Sequence, residues 1–320
     1  MQELSNSSTV QEFFPSLNQA RMFTTTQSLH HTRVPGHARQ TLTPGYTAAL
    51  SHQSQKLAKN SSRRVTVVGG RGVMGQFFVQ QLSAAGHIVN ILEQDNWSHA
   101  KQLLDGADLA LICVPIEYTQ TVIRDIAQYL SPTTALADIT SVKAPIVQTM
   151  LACHSGPVMG LHPMFGPKVS SFQSQNIVVC PGRTDEAFQW LLKLIKQEGG
   201  KLMICTPEEH DRMMITIQSL RHFVSFSLGI FLTDEGIDIQ QSLELASPSY
   251  RELIDMTNRL FCQSGELVAD IMLFTQERRE AIVKLADTFN RLAQLAMDND
   301  RESLIREFQS AQGVWAALSS

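Results

Sequence analysis

The chain has 320 residues, of which 43% are hydrophobic and 18% charged, and its formal net charge is -4. That length suggests two domains and that composition a globular protein, while the acidic balance excludes the basic face of a nucleic-acid binder. No apolar run approaches the roughly 18 residues that signal a membrane span, so no membrane is expected as a partner either.

The charge is unevenly spread. Residues 1–62 hold five Lys/Arg against two Asp/Glu, net +3, which leaves -7 for the rest. Ser, Thr, Gln and His supply 28 of these 62 residues, and Pro15, Pro35, Gly36, Pro44 and Gly45 interrupt the short apolar patches. No amphipathic period persists, so 1–62 reads as a disordered or weakly structured N-terminal extension. It lacks a basic stretch leading into an apolar core, as a secretory signal would have. Its four histidines (His30, His31, His37, His52) read as solvated residues. Five scattered cysteines without a Cys-x-x-Cys pair fit a reducing, cytoplasmic setting and disfavour a disulfide framework or a thiolate zinc site.

Ordered patterning begins at Arg63. Arg64–Val68 is a β-branched run closed by Gly69-Gly70, as a buried parallel strand should be. A helical period follows from Val73 to Ala85 and stops at Gly86. Ile88–Leu92 and Ala110–Val114 read as strands, the latter ended by Pro115. Tyr118–Leu130 is helical, Ala135–Ile139 a strand, and Val142–Cys153 a helix with Pro145 in its first turn. Val158–Leu161 and Ile177–Cys180 are short strands, Asp185–Glu198 an amphipathic helix, and Leu202–Cys205 a last strand. Strands alternating with helices predict an α/β domain over 63–206, a Rossmann-type, doubly wound parallel sheet. From 207 to 320 no strand pattern remains. Segments 208–231, 239–246, 249–262, 265–298 and 300–318 read as helices, an all-α domain whose large apolar faces call for dimerisation.

Gly70-Arg71-Gly72-Val73-Met74-Gly75 fits G-x-G-x-x-G, after a strand and opening a helix. Gly70 would permit the tight turn, Gly72 a close approach by a pyrophosphate, and Gly75 close packing of helix on strand. The helix N-terminus, through Val73 and Met74, offers N–H groups to the phosphates. Glu93 stands at the end of the second strand, where a carboxylate accepts from ribose hydroxyls and repels a 2′-phosphate, which favours NAD. Pro115 should shape the sheet edge near the nicotinamide half.

Ligands of such sheets bind beyond the carboxyl ends of the strands. Asp138–Lys143 and Gly160–Pro167 both fall there. His162, fixed by Pro163, suits proton transfer at neutral pH, although spacing alone leaves a structural histidine open. Asp138 is as readily a cap. Lys143 could bind an anion or simply be solvated. In the helical part Arg251, Asp255 and Arg259 share one helix face, so one arginine could pair with Asp255 and leave the other for a carboxylate, or all three could form an ion-pair ladder. No histidine spacing suggests a metal, and none is expected.

These residues together resemble the prephenate dehydrogenase family, nearest the dehydrogenase part of its bifunctional chorismate mutase/prephenate dehydrogenase (T-protein) branch. The resemblance runs from about Val65 to Trp315. It rests on the glycine loop, Ile91-Leu92-Glu93-Gln94, Val114-Pro115-Ile116, Ser141-Val142-Lys143 and the highly specific Gly160–Pro167 block. Leu220-Arg221-His222-Phe223, Ser247-Pro248 with Tyr250-Arg251, and Arg259-Leu260-Phe261 add to it.

The resemblance implies NAD-dependent oxidative decarboxylation of prephenate to 4-hydroxyphenylpyruvate, a step toward tyrosine. By similarity His162 accepts the C4 hydroxyl proton, Ser141 hydrogen-bonds nearby, and Arg259 binds a substrate carboxylate. His222 matches a position linked to the substrate side chain and to tyrosine feedback inhibition, Lys143 and Arg251 have supporting roles, and the helical domain forms a homodimer. Residues 1–62 lack the long charged helices of a mutase domain, so no mutase activity is expected. Competing readings are an arogenate or 4-amino-4-deoxyprephenate dehydrogenase of the same fold, and a non-catalytic NAD-binding regulatory protein.

Overall fold

The computed structural model describes residues 62–166 and 169–316. The expected N-terminal extension, apart from Ser62, lies outside the described residues. The chain divides into two compact units: one holds the residues up to Val114 with Tyr118–Pro207, the other Pro115–Glu117 with everything from Glu208.

In the first unit seven strands form one sheet: β1 (Arg64–Val68), β2 (Ile88–Leu92), β3 (Leu109–Ile112), β4 (Ala135–Asp138), β5 (Val158–Pro163), β6 (Asn176–Arg183) and β7 (Lys201–Ile204). Their spatial order is β2-β1-β3-β4-β5-β6-β7. The helices between them are α1 (Val73–Ala84), α2 (Ala100–Leu104), α3 (Ile116–Ala127), α4 (Ala144–Cys153) and α5 (Gln189–Gln197). Alternation along the strands builds two cores. Val65, Val67, Leu109, Leu111, Met159 and Leu161 face one side, against Phe77, Phe78 and Leu82 of α1 and Leu191, Leu192 and Ile195 of α5. Val68, Ala110, Ile112, Leu136 and Val158 face the other, against Ile123 and Ile126 of α3 and Ile146, Val147 and Met150 of α4.

The sheet departs from the all-parallel expectation at one pair. β5 and β6 are antiparallel, with His162 opposite Val178, whereas β6 and β7 are again parallel. The cause is the connection: the described residues between Pro163 and Asn176 contain no helix. A parallel return to the same sheet needs a crossover, usually helical, whereas an irregular connection lets the chain turn back beside itself. Aromatic contacts hold that connection. Phe165 meets Phe77 edge-on at 5.2 Å between centroids, and Phe172 meets the same ring at 5.0 Å. Two further boundaries differ. β5 runs two residues past Leu161, so His162 lies within the strand rather than after it. The expected helix over 185–198 is a 3-10 turn (Asp185–Phe188) leading into α5, entered from Thr184 with φ of 53°.

The second unit is helical: α6 (Pro207–Met214), a π-helical turn (Ile215–Leu220), α7 (Arg221–Asp234), α8 (Ile239–Glu244), α9 (Pro248–Phe261), α10 (Gly265–Leu273), α11 (Gln276–Met297) and α12 (Arg301–Ala316). α7 and α9 pack closely because Gly229 has no side chain: a Cβ there would stand 2.1 Å from the Phe261 ring. The single helix expected over 265–298 is broken between α10 and α11. Thr275 caps the new helix by accepting from the Arg278 N–H at 3.3 Å. The buried Arg278 guanidinium donates to the Ile271 carbonyl at 2.7 Å, satisfying the end of α10.

Candidate active site

The order reversal of the sheet falls at β1, between β2 and β3, which places a ligand crevice at the carboxyl ends of β1 and β3. The glycine loop lies there. The residue in the left-handed region is Gly69, with φ of 81°, so the sharp turn belongs to it and not to Gly70 as the motif suggested. A Cβ on Gly69 would also stand 2.7 Å from the Cys113 carbonyl oxygen. Gly70 instead makes room for Ile91 of β2, 2.9 Å from where its Cβ would be. Gly72 is the N-cap of α1 and offers no side-chain cap, so the first-turn N–H groups at Val73, Met74 and Gly75 remain open to an anion. A Cβ on Gly72 would narrow this cradle, 3.2 Å from the Gly69 oxygen and 3.9 Å from that of Cys113. Gly75 is the tightest, with a hypothetical Cβ 2.1 Å from the Gly69 oxygen. These residues fit a dinucleotide pyrophosphate.

Glu93 is tied into the same loop. Its Oε1 accepts from the Arg71 backbone N–H at 2.6 Å, while its own N–H donates to Asn96 Oδ1 at 2.7 Å. The carboxylate is therefore held against the glycine turn and, through a capping box with Asn96, against the start of the following 3-10 turn. The Arg71 side chain is turned to Asp95 at 2.5 Å, and that pairing raises its pKa. Pro115 precedes α3 and falls with the second unit.

At the carboxyl ends of β4 and β5 the register sets Asp138 beside Gly160. Ser141, half-buried, follows β4, and His162, 3% exposed, lies near the end of the adjacent β5. Beneath them is a polar network. Asp138 Oδ2 accepts from the Thr140 N–H at 2.9 Å, from Thr140 Oγ1 at 2.5 Å and from Lys143 Nζ. Lys143 Nζ also donates to the Leu161 carbonyl at 2.8 Å. The Lys143 and Asp138 side chains both have 0% exposure. The expectation of a solvated or anion-binding lysine does not hold: its ammonium is spent inside the protein.

In the second unit Arg251, Asp255 and Arg259 lie on the exposed side of α9, and among the described residues no ion pair joins them. Neither alternative from the sequence, a single pair with Asp255 or a ladder of all three, is formed. Arg259 has a different neighbour, Arg221 of α7. Burial, then the charge of Arg259, pushes the Arg221 pKa down. Sequence reasoning passed over Arg221 as a site residue although it stands in the Leu220–Phe223 run. Two guanidiniums so placed favour an anion. Next to them His222 is 2% exposed, with Nδ1 2.6 Å from the Gln218 carbonyl and 3.3 Å from Arg221 Nη2. Burial foremost, with Arg221 and Arg278 adding, pushes its pKa below the usual imidazole value. His222 Nε2 and Ser225 Oγ, about one turn apart on α7, are buried without a hydrogen-bond partner. The π-helical turn ahead of them is a feature frequent at functional sites.

Two family models match the chain: the nucleotide-binding domain of prephenate dehydrogenase over residues 80–204, and the prephenate dehydrogenase dimerization domain over 206–310. The T-protein of Enterobacter agglomerans is 39% identical over 250 residues, covering 78% of this chain and 67% of the relative. The chain belongs to the prephenate dehydrogenase family. It is an NAD-dependent oxidoreductase with a nucleotide-binding and a dimerisation domain. The T-protein of Haemophilus influenzae is 37% identical over 257 residues, covering 80% of this chain and 68% of that one. The fold is shared with the crystal structure of prephenate dehydrogenase from A. aeolicus in complex with hydroxyphenyl propionate and NAD+. That match has a TM-score of 0.60 and 17% identity, over 81% of this chain and 99% of the other. The helical run Pro207–Asp234 is long and apolar enough to cross a membrane by length and composition; it lies in the region matched by the dimerisation domain.

Proposed function

We propose that this family member oxidises and decarboxylates prephenate to 4-hydroxyphenylpyruvate, with His162 accepting the proton of the ring C4 hydroxyl. The observation that carries the reading is His162 itself: a histidine of the Gly160–Pro167 block, buried and held within β5 at the strand ends where sheets of this class bind ligands. NAD, when bound, supplies the hydride acceptor. The glycine loop would hold its pyrophosphate through the N-terminus of α1, and Glu93 would hold its ribose. His162 takes the hydroxyl proton as C4 is oxidised, and departure of the ring carboxylate as CO2 makes the ring aromatic. Ser141 hydrogen-bonds beside His162. Arg259, with Arg251 in support, binds a substrate carboxylate.

His222 serves the substrate side chain and, in the same place, tyrosine as a feedback inhibitor. The protein works as a cytoplasmic homodimer. Arogenate, which keeps the C4 hydroxyl, is the second reading; the cationic pair Arg221/Arg259, which no carboxylate joins in an ion pair among the described residues, favours the more anionic prephenate.

The test is NADH formation with prephenate, arogenate and 4-amino-4-deoxyprephenate side by side. Prephenate should give the highest kcat/KM; a higher value with either of the others overturns the substrate assignment.

A further inference from the structure

We infer that Lys143 is a positioning residue for His162, acting from inside the protein through the backbone of β5, and that Gly160 exists to let it do so. The inference rests on the assignment of His162 as the proton acceptor.

An ammonium buried beyond the reach of water is costly unless it is paired and hydrogen-bonded. Lys143 is both. Its Nζ reaches Asp138, the last residue of β4, and the carbonyl of Leu161, the residue before His162. One side chain thus clamps the ends of two neighbouring strands at the peptide that carries the imidazole. The Leu161 carbonyl also belongs to a strand paired on the other side in the antiparallel sense, so β5 sits between two differently directed neighbours. A fixed strand end there needs an anchor that the parallel ladder alone does not supply.

The route of the side chain shows what the anchor demands of the sequence. Lys143 is the N-cap of α4 and offers no cap of its own. Its stem passes over β5 at Gly160. A Cβ on Gly160 would stand 2.9 Å from Lys143 Cδ and 2.9 Å from Val147 Cγ2. Gly160 and His162 are two residues apart on one strand and so share a face. Any side chain at 160 would push the lysine stem away from the face that carries His162. The Ser141-Val142-Lys143 run and the glycine opening the Gly160–Pro167 block are therefore one device. On the Asp138 side, Thr140 fixes the carboxylate with two bonds to the same oxygen that Lys143 uses, so the ammonium has a preset target.

The experiment compares four full-length variants: Lys143→Met, Lys143→Met with Asp138→Asn, Gly160→Ala and His162→Asn. Each is assayed for kcat with prephenate and for NAD affinity by fluorescence titration, with rates corrected for the fraction that binds NAD. Misplacement of a catalytic group by about 1 Å costs on the order of 10²-fold, so the first three should lose up to about that factor in kcat. NAD affinity should stay within about twofold, because the glycine loop lies on other strands. The double variant removes the orphaned buried charge, so it should regain melting temperature relative to Lys143→Met but not kcat. A double variant with parental kcat overturns the inference and leaves the pair a purely structural one. Should neither lysine variant fold, Gly160→Ala decides alone: parental kcat overturns the inference, a lowered kcat with parental NAD affinity supports it. If His162→Asn keeps its kcat, the assignment of His162 fails first, whatever the other variants show.

Discussion

Replacing Gly75 with alanine should weaken cofactor binding as well as destabilise the fold. The new Cβ would lie 2.1 Å from the Gly69 carbonyl oxygen, 2.8 Å from Gly70 Cα and 2.9 Å from the Gly69 carbonyl carbon. Heavy atoms of this kind sit comfortably at about 3.5 Å, so α1 must retreat from the loop by roughly 1 Å. All three obstacles are backbone, and Gly69 is already committed to a left-handed turn, so no side chain can swing aside. Overpacking of this sort costs about 1–3 kcal/mol. The overlap exists before NAD binds, so that cost falls on the fold; the retreat of the helix end, which carries the phosphate-binding N–H groups, costs a comparable amount again in the bound state. Each 1.4 kcal/mol is a factor of about ten, so the NAD Kd should rise about 10- to 100-fold. The assay is fluorescence titration with NADH, beside a thermal melt. Gly86→Ala is the comparison. Gly86 has φ of 87° and nothing within 4 Å of its hypothetical Cβ, so that variant should lose about 1–2 kcal/mol of stability through backbone strain with Kd unchanged. A Gly75→Ala protein with parental Kd would refute the reasoning.

Three further outcomes follow from the geometry. Asp95→Asn releases Arg71 from its ion pair and should raise the ratio of NADP to NAD kcat/KM by roughly 2–5-fold; an unchanged ratio would show that Arg71 does not reach a 2′-phosphate. Arg259→Ala should raise the KM for prephenate by about 10- to 100-fold, the worth of a charge-assisted hydrogen bond, while the KM for NAD holds; an unmoved prephenate KM would remove Arg259 from the substrate site. Acidification should lower the melting temperature between pH 7.5 and 5.5. Burial pushes His87, His154 and His222 below the usual imidazole value of 6.5. Below that pH the unfolded chain takes up protons that the folded one refuses, so stability is intact above it and falls as pH falls. A melting temperature that is flat or rises on acidification contradicts this.

The strands were legible where their period was, and their direction was not. β1 to β5 announce themselves by apolar runs, yet a strand pattern carries no arrow, and β6 was assumed to follow its predecessors. The lack of a helical period in the sequence between Pro163 and Asn176 was the signal that it turns back. The break between α10 and α11 escaped because the apolar period continues through Phe274, while Thr275 caps without the acidic partner that makes a capping box readable. In the glycine loop the motif pointed one residue too late for the turn, since the Gly69-Gly70 pair leaves open which of them takes positive φ. Lys143 was misjudged because charge argues for solvent. Only its spacing from Asp138 and the glycine at 160, each ambiguous alone, hinted at a buried pair. Glu93 and the cofactor glycines were legible as candidates because they stand at strand ends, where the topology of the sheet puts ligands; His162 became a candidate base through the resemblance, since spacing alone left a structural histidine open.

The central claim is that His162 takes the proton as prephenate is oxidised. Steady-state kinetics of His162→Asn with prephenate and NAD test it most directly. The variant should bind both ligands with near-parental affinity and lose about 10²- to 10⁴-fold in kcat, the usual worth of a general base. A His162→Asn enzyme with near-parental kcat would contradict the account.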